Sequence, residues 1–208
     1  MGTKRTMRES LSPRKQEILQ IVFRLIAQEG IQELTMKRIA GEIGITEPAI
    51  YRHFSSKAEI LSALVEEIIS IRLGIFQKAS MYKEDPEQYI RIFFDGHARL
   101  FEEQPAMTII LFSDEMFRYN PDLMERIASM MEDAIDRIAT IVRNGVRSNL
   151  FYSAVDDRMV SYLLLGGFRL LVSTWYLGGK QFSLVEHTKK FVETSLQFLM
   201  NRGSRQKD

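Results

Sequence analysis

Residues 35–61 read TMKRIAGEIGITEPAIYRHFSSKAEIL, and this stretch decides the fold. It divides into two short helices joined by a tight turn, followed directly by the start of a third. Thr35 is an N-cap candidate for the first of them, and Gly44 supplies the positive φ that a tight turn requires. Thr46 begins the second short helix, which is predicted to continue to about His53.

The segment has an apolar face and a polar face. Side chains suited to the inside are Ile39, Ala40, Ile43, Ile45, Ile50 and Phe54. Side chains left for the outside are Thr35, Lys37, Thr46, Glu47, Tyr51, Arg52, His53 and Lys57. A helix with this layout fits a DNA major groove, with its N-terminal residues towards the base edges. Free N–H groups and hydroxyls at the helix starts favour phosphates. The segment therefore predicts a DNA-binding helix-turn-helix.

The rest of the chain also predicts helices, without period-two alternation or a hairpin signal. The first helix is expected to follow Ser12, with Pro13 at its first position, and to end at Gly30. Ser55 or Ser56 is expected to cap a long fourth helix. Further helices are predicted near 86–104, 106–119, 121–149, 156–177 and 183–202. The fold class is all-α, with an N-terminal three-helix head, a larger C-terminal helical bundle and about nine helices.

Charge separates the two predicted domains, a DNA-binding head of residues 1–58 and a ligand-binding and dimerisation body of residues 59–208. The head has ten Lys or Arg against six Asp or Glu, a net charge of +4. The body has 18 against 21, a net charge of −3. A basic head on a mildly acidic body suits a protein that places one end on phosphates.

Composition argues against other classes of protein. Cysteine is absent, which excludes disulfides and thiolate metal sites. The histidines His53, His97 and His187 are scattered, and no phosphate-binding glycine loop occurs, so we predict neither an enzyme nor a metal site nor a cofactor. The chain shows no secretory signal and no apolar run of the ~18 residues expected of a membrane span. The expected location is the cytoplasm, without membrane association.

The ordered pattern Thr-x-x-x-Ile-Ala-x-x-x-Gly-Ile-Thr-x-x-x-Ile-Tyr-Arg-His-Phe-x-x-Lys-x-x-Ile-Leu begins at Thr35 and ends at Leu61. It strongly resembles the DNA-binding domain of the tetracycline-repressor (TetR) family. The resemblance covers residues from about 12 to 62, whereas the remaining body matches the family only in length and helical character. It implies phosphate contacts from Thr35, Thr46, Tyr51, His53 and Lys57. It implies groove-facing positions for Lys37, Glu47, Pro48, Ala49 and Arg52.

Three parts of this basic surface leave alternatives open. Pro48 and Ala49 offer only apolar contact, such as with a thymine methyl, so base hydrogen bonding is expected from Arg52 or Lys37 together with DNA shape. Lys57 opens the fourth helix, where a cation opposes the helix dipole. A phosphate partner explains that placement, and simple solvation is the alternative. The arm with Lys4, Arg5 and Arg8 either reaches a minor groove or is a solvated tail.

The end of the body suggests a homodimer. The family resemblance implies a two-fold dimer in which the last two helices of each subunit form a four-helix interface. Residues 159–175 are apolar on most faces, more than one neighbouring helix needs. Gly166 and Gly167 each cost a helix roughly 1 kcal/mol relative to alanine, which close approach at a dimer interface explains. An ordinary buried helix of a monomer is the alternative.

The middle helices are rich in Phe and Met. The resemblance implies an apolar inducer pocket, and core packing is the alternative for any single residue. The predicted pocket residues are Phe94, His97, Phe101, Met107, Phe112, Met116, Phe168, Arg169 and Trp175. The predicted function is a ligand-responsive regulator, a repressor that leaves a palindromic double-stranded DNA operator when a small lipophilic inducer binds. The alternative is a TetR-like DNA-binding protein without an inducer, which acts by spreading on DNA or through a protein partner.

Overall fold

The structure, a computed structural model, describes residues 11–112 and 121–200, and nine α-helices lie within those two ranges. The helices are α1 (Pro13–Glu29), α2 (Met36–Ile43), α3 (Glu47–Ile50), α4 (Lys57–Ser80), α5 (Pro86–Glu103), α6 (Ala106–Phe112), α7 (Pro121–Arg147), α8 (Asp157–Leu177) and α9 (Leu184–Leu199). The predicted all-α class is confirmed. The predicted end of the sixth helix, residues 113–119, lies outside the described residues.

Local capping fixes the starts of α1 and α4 where the sequence predicts them, whereas Thr46 at the start of α3 makes no side-chain capping hydrogen bond. The Ser12 hydroxyl accepts a hydrogen bond from the Lys15 amide at 3.3 Å, and Pro13 opens α1. Gly30, with φ of 86°, ends that helix. At α4, the Ser56 hydroxyl accepts from the Glu59 amide at 3.1 Å, so Ser56 rather than Ser55 is the capping residue.

Two predicted helix ends are too late. The helix predicted to reach residue 149 ends at Arg147, because Asn149 adopts a positive φ of 58°. The last helix ends at Leu199, where its carbonyl accepts a hydrogen bond from the Tyr152 amide at 2.8 Å. An antiparallel bridge then pairs Phe151 with Met200. Both helices stop where the backbone turns to make this contact between distant parts of the sequence.

The described helices belong to two compact units. The first unit comprises residues 1–73 and 104–127, and within it α1 packs against α2 and α6, while α2 packs against α3. Its core contains the predicted apolar stripe of α4, namely Ile60, Leu61, Leu64, Val65 and Ile68, all buried. This division follows contacts rather than function, so the functional boundary between residues 58 and 59 stays a prediction.

The second unit comprises residues 74–103 and 128–208, and its most extensive contact is between α5 and α9. Glu102 joins the end of α5 to the start of α9, since its Oε1 accepts from the Val185 amide and the Ser183 hydroxyl, both at 3.1 Å. Further along, Arg91 of α5 donates to Glu193 of α9 at 2.6 Å. These contacts fix α9 against α5, whose buried side chains include Tyr89, Phe93, Phe94 and Phe101.

Candidate nucleic-acid interface

A glycine turn sets the angle between α2 and α3. Thr35 caps α2, its hydroxyl accepting from the Arg38 amide at 3.0 Å. Gly44 ends the helix in the left-handed conformation, with φ of 75° and ψ of 31°. The Ile45 amide then donates to the Ala40 carbonyl at 3.0 Å, which together with the Gly44 amide makes a Schellman-type end. The predicted helix-turn-helix is therefore present, with the predicted residues at its turn.

The second helix of the motif is shorter than predicted. Helix α3 covers only Glu47–Ile50, and residues 51–53 form turns rather than the predicted continuation to His53. The Ile50 carbonyl accepts from both the His53 amide at 2.8 Å and the Phe54 amide at 3.0 Å. Sharing one carbonyl tightens the last turn, and the tightening brings Phe54 inside, where it is 1% exposed.

All ten predicted DNA-contact residues have solvent-accessible side chains. Six are exposed, namely Thr35, Lys37, Thr46, Pro48, Tyr51 and Arg52. Four are half-buried, namely Glu47, Ala49, His53 and Lys57. Accessibility is necessary for a DNA contact and leaves the individual roles as predictions.

The predicted inward face is largely but not entirely buried. Ile39, Ala40 and Ile50 are buried together with Phe54. Ile43 and Ile45 are only half-buried. These two residues flank the Gly44 turn, where the backbone reverses at the surface and cannot place both neighbours in the core.

Most of the described basic residues of the head are neutralised by acidic neighbours. Arg38 donates to Glu29 and Glu42, and Arg24 also donates to Glu42 at 3.0 Å. Hydrogen bonding to these carboxylates raises the pKa of Arg38, and the Arg38 hydrogen bond lowers the pKa of Glu29. At the start of α1, Arg14 pairs with Glu17 at 2.5 Å. Arg24 and Arg38 thereby link α1 to α2, whereas the Arg14 pair lies within α1.

Lys37 and Arg52 differ from these residues. Neither makes a hydrogen bond or an ion pair with any residue in the described part of the chain, and both side chains are exposed. Their charges remain available to an external anion, because no internal carboxylate competes for them.

Lys57 has a partner within the chain. Its ammonium donates to the Ile31 carbonyl at 3.2 Å, and partial burial lowers the pKa of Lys57. The alternative of a merely solvated Lys57 is therefore wrong. An ammonium has three donors, so this bond leaves donors for a phosphate.

In the second unit, the predicted pocket residues form part of an aromatic cluster. The Phe94 ring lies 5.2 Å from Phe168, and Phe101 lies 6.2 Å from Phe168, measured between centroids. His97 is 4% exposed and lies 4.4 Å from the Phe93 ring, with its Nδ1 2.7 Å from the Phe93 carbonyl oxygen. A carbonyl can only accept, so Nδ1 of His97 carries the proton.

The other predicted pocket residues are more dispersed. Trp175 is buried in the second unit, and Arg169 of the same helix is half-buried. Met107 is buried and Phe112 half-buried, but both belong to the first unit. Met116 lies outside the described residues. An open groove of about 280 Å³ between α5 and α9 includes none of these residues in its lining.

Family models match nearly the whole chain. Residues 18–64 match the model described as bacterial regulatory proteins, tetR family, and residues 61–198 match the model described as YsiA-like protein, C-terminal region. The chain belongs to the TetR family. It is therefore a transcription regulator with a DNA-binding helix-turn-helix head and a ligand-binding C-terminal domain, as predicted.

Known proteins similar to this TetR-family chain include regulators of different kinds. The nucleoid occlusion factor SlmA of Vibrio atlanticus (strain LGP32) is 28% identical over 156 residues, covering 74% of this chain and 80% of that protein. The fatty acid metabolism regulator protein of Bacillus subtilis (strain 168) is 20% identical over 190 residues, covering 91% and 97%. The solved structure of the regulator FadR from Bacillus subtilis in complex with stearoyl-CoA has a TM-score of 0.72 at 18% identity, covering 88% of this chain and 98% of that one.

Helix α8 of this TetR-family chain has an apolar face that none of the described residues covers. Met159, Leu163, Leu170 and Leu177 recur at helical spacing and are 52%, 74%, 68% and 84% exposed. By length and composition, with a mean hydropathy of 1.3 over 18 residues, α8 also meets the criterion for a membrane span. Its opposite face packs within the second unit through Leu164, Phe168 and Val172, among others.

The two adjacent glycines of α8 have different surroundings. A Cβ on Gly167 would lie 2.8 Å from Phe191 Cε2, so this glycine is explained by packing of α8 against α9 within one chain. A Cβ on Gly166 would have nothing within 4 Å. The dimer explanation is therefore not needed for Gly167 and stays a prediction for Gly166, which lies on the exposed face.

Proposed function

We propose that this protein is a homodimeric repressor that binds a palindromic operator and is released from it by a lipophilic ligand. The observation that carries the proposal is the helix-turn-helix face, accessible at all ten predicted contact residues and supplied with two unpaired cations, Lys37 and Arg52. The protein acts in the cytoplasm as a regulator rather than an enzyme, and it requires no cofactor.

On the operator, α3 lies in the major groove. Pro48 and Ala49 contact thymine methyls, while Arg52 and Lys37 donate to base edges or flanking phosphates. Thr35 and Thr46, at the starts of α2 and α3, bind phosphates on either side of the groove. Tyr51, His53 and Lys57 add further phosphate contacts, and Glu47 faces the groove at the start of α3.

Charge removal tests the DNA interface. An operator is first selected by the wild-type protein from a pool of random duplexes, and affinities are then measured by fluorescence anisotropy. We expect Lys37→Ala and Arg52→Ala each to weaken binding by roughly 1–3 kcal/mol if the side chain contacts a base. If it contacts a phosphate, the slope of the logarithm of the binding constant against the logarithm of the salt concentration should decrease in magnitude by about 1. Arg24→Ala is the matched control, because it removes the same charge from a side chain already paired with Glu42. Equal effects of all three variants would contradict the interface.

For the ligand, we propose a molecule with a long acyl chain, bound among the aromatic side chains of the second unit. The similarity to the Bacillus subtilis fatty acid metabolism regulator, which extends over 91% of this chain, supports this class of ligand. The similar fold of a regulator solved in complex with stearoyl-CoA supports it as well. The cluster of Phe94, Phe101 and Phe168 offers the apolar surroundings that such a chain needs. Of the nine predicted pocket residues, the six in the second unit belong to this proposal, namely Phe94, His97, Phe101, Phe168, Arg169 and Trp175.

A panel of ligands tests the class. Stearoyl-CoA, stearate, coenzyme A alone and a sterol are compared for their effect on melting temperature and on operator affinity. A true ligand raises the melting temperature by mass action and lowers operator affinity by favouring the conformation that does not fit DNA. We expect stearoyl-CoA or stearate to do both and coenzyme A alone to do neither. Stabilisation by the sterol alone would contradict the acyl class.

A second candidate has its own support. The similarity to a nucleoid occlusion factor favours a DNA-binding protein without an inducer, which acts by spreading on DNA or through a protein partner. A footprint that extends beyond the selected operator as protein concentration rises, without response to any ligand of the panel, would favour this candidate over the repressor.

A further inference from the structure

One carboxylate lies at the junction of the DNA-binding face and α4. Glu59 Oε2 accepts from the Ser55 amide at 2.7 Å and from the Ser55 hydroxyl at 2.8 Å. Its Oε1 accepts from Lys15 Nζ of α1 at 3.3 Å. The Glu59 amide in turn donates to Ser56. A single side chain therefore ties together α1, the turn that follows α3, and α4.

Phe54 also packs at this junction, in contact with Lys15. Lys15 Nζ lies 4.7 Å from the centroid of the Phe54 ring, so one ammonium contacts both this ring and Glu59. Phe54 immediately follows Tyr51–His53 in the chain and is buried. The position of these three residues is consequently linked to α1 through Lys15 and to α4 through Glu59.

A carboxylate is electrostatically unfavourable at this place. Glu59 lies two positions after Lys57 and six after His53, both proposed phosphate contacts, and an acidic side chain there repels the DNA backbone. Its three accepted hydrogen bonds provide a reason for its presence, since hydrogen bonds to a charged acceptor are stronger than neutral ones. Repulsion and positioning thus act on operator affinity in opposite directions.

We propose that Glu59 is a positioning residue for DNA recognition, holding the turn of residues 51–55 in the geometry that fits the operator through its bonds to Ser55 and Lys15. This inference rests on the proposed function as an operator-binding protein. It assigns Glu59 no contact with DNA. Glu59 is not among the site residues predicted from the sequence, although the spacing Ser56-x-x-Glu59 is that of a capping box.

Repulsion of DNA and positioning of the turn predict opposite changes in operator affinity when the Glu59 side chain is removed, so the test distinguishes them. Binding of Glu59→Ala is measured by fluorescence anisotropy on the selected operator and on a scrambled duplex of the same length. If the side chain only repels DNA, its removal tightens binding to both duplexes. If it positions the turn, operator affinity falls by about fivefold or more, while affinity for the scrambled duplex stays the same or rises.

Glu33→Ala is the matched control. Glu33 is an exposed carboxylate of the same head, and it makes no hydrogen bond or ion pair with any residue that the structure describes. Its removal is expected to leave operator affinity unchanged or to raise it. Melting curves confirm that each variant is folded at the assay temperature. If Glu59→Ala is unfolded there, Glu59→Gln replaces it, and a loss of operator preference smaller than fivefold but above twofold is then expected.

A double-mutant cycle with Lys15 completes the test. Lys15→Met removes the partner of Glu59, and we expect the double variant to bind the operator no more weakly than Glu59→Ala alone, because the two side chains act as one unit. Operator binding by Glu59→Ala as tight as wild type, or tighter, would overturn the positioning role while leaving the regulator proposal intact. Failure of the wild-type protein to select any duplex would overturn the proposed function itself.

Discussion

Gly44 adopts φ of 75° and ψ of 31° at the turn between α2 and α3, a conformation that costs a residue with a Cβ roughly 1–2 kcal/mol. A Cβ at this position would have open space around it, so the cost is conformational and not steric. Gly41, one turn earlier in α2, is exposed and also has open space, but its backbone is helical. Substituting Gly44 and Gly41 in turn therefore distinguishes the need for a left-handed conformation at the turn from the general destabilising effect of glycine in a helix.

We predict that Gly44→Ala lowers the free energy of unfolding by roughly 1–2 kcal/mol. Gly41→Ala is expected to raise it by up to about 1 kcal/mol, because alanine is the better helix former. Urea denaturation followed by circular dichroism measures both. Stabilisation by Gly44→Ala would show that the left-handed turn is not formed in solution.

At the same scale, charged side chains show what the sequence could not assign. Lys37, Arg38 and Lys57 are all basic residues, and the sequence alone does not distinguish their surroundings. Among the described residues, only Lys37 of the three is without a partner. Arg38 is paired with Glu29, nine positions away, and Lys57 donates to Ile31, 26 positions away. The ion pair and the hydrogen bond depend on how α1, α2 and α4 fold together, which local patterns do not encode.

At the scale of the elements, α7 and the segment after it pack closely at Gly145 and Phe151. A Cβ on Gly145 would lie 2.5 Å from Phe151 Cε2, and the Phe151 ring is completely buried. The Leu150 and Phe151 amides both donate to the Gly145 carbonyl, at 2.9 Å and 3.0 Å. The buried Phe151 ring therefore cannot easily move away from a Cβ added at Gly145. By contrast, Gly74 of α4 is exposed, with nothing within 4 Å of its Cβ position.

We expect Gly145→Ala to destabilise the protein by about 1–3 kcal/mol through overpacking, despite the better helix propensity of alanine. Gly74→Ala is the control and is expected to be neutral or stabilising. Differential scanning calorimetry compares the two melting temperatures. A Gly145→Ala protein as stable as Gly74→Ala would mean that Phe151 occupies another position in solution.

The capping residues show how much of the elements is local. Ser12, Thr35 and Ser56 each accept a hydrogen bond from an amide three positions later. The sequence predicts Ser12 and Thr35 as caps, and it leaves Ser55 and Ser56 as alternatives for the third. The end of α9 was not, because it depends on Tyr152, 47 positions before Leu199 in the numbering of the chain. Helix starts are therefore predictable where a side chain of the same segment caps them.

At the scale of the whole molecule, the apolar face of α8 stays exposed among the residues that the structure describes. Leu163 and Leu170 are exposed, and Phe198 of α9 is 80% exposed. Large apolar side chains in a row commonly mark a protein interface. We propose that a second copy covers them, which also provides the two helix-turn-helix motifs that a palindrome requires.

We predict that Leu163→Glu combined with Leu170→Glu converts the protein to a monomer at micromolar concentration and abolishes tight operator binding. Burying two carboxylates at an apolar interface without partners is strongly unfavourable. Light scattering after size-exclusion chromatography measures the mass, and Met81→Glu, at an equally exposed position off this face, is the control. A mutant that remains a dimer would place the interface elsewhere.

The sequence by itself determined the all-α class, the helix-turn-helix with its Thr35 cap and Gly44 turn, and the membership of the TetR family. These depend on spacings of three or four residues and on a glycine with positive φ, which are properties of short segments. Only the tertiary structure decided which cations are neutralised, that Gly167 faces Phe191, and that Glu59 joins Ser55 to Lys15. Each of these depends on contacts between residues far apart in the chain, whose distances are set by the packing of whole helices.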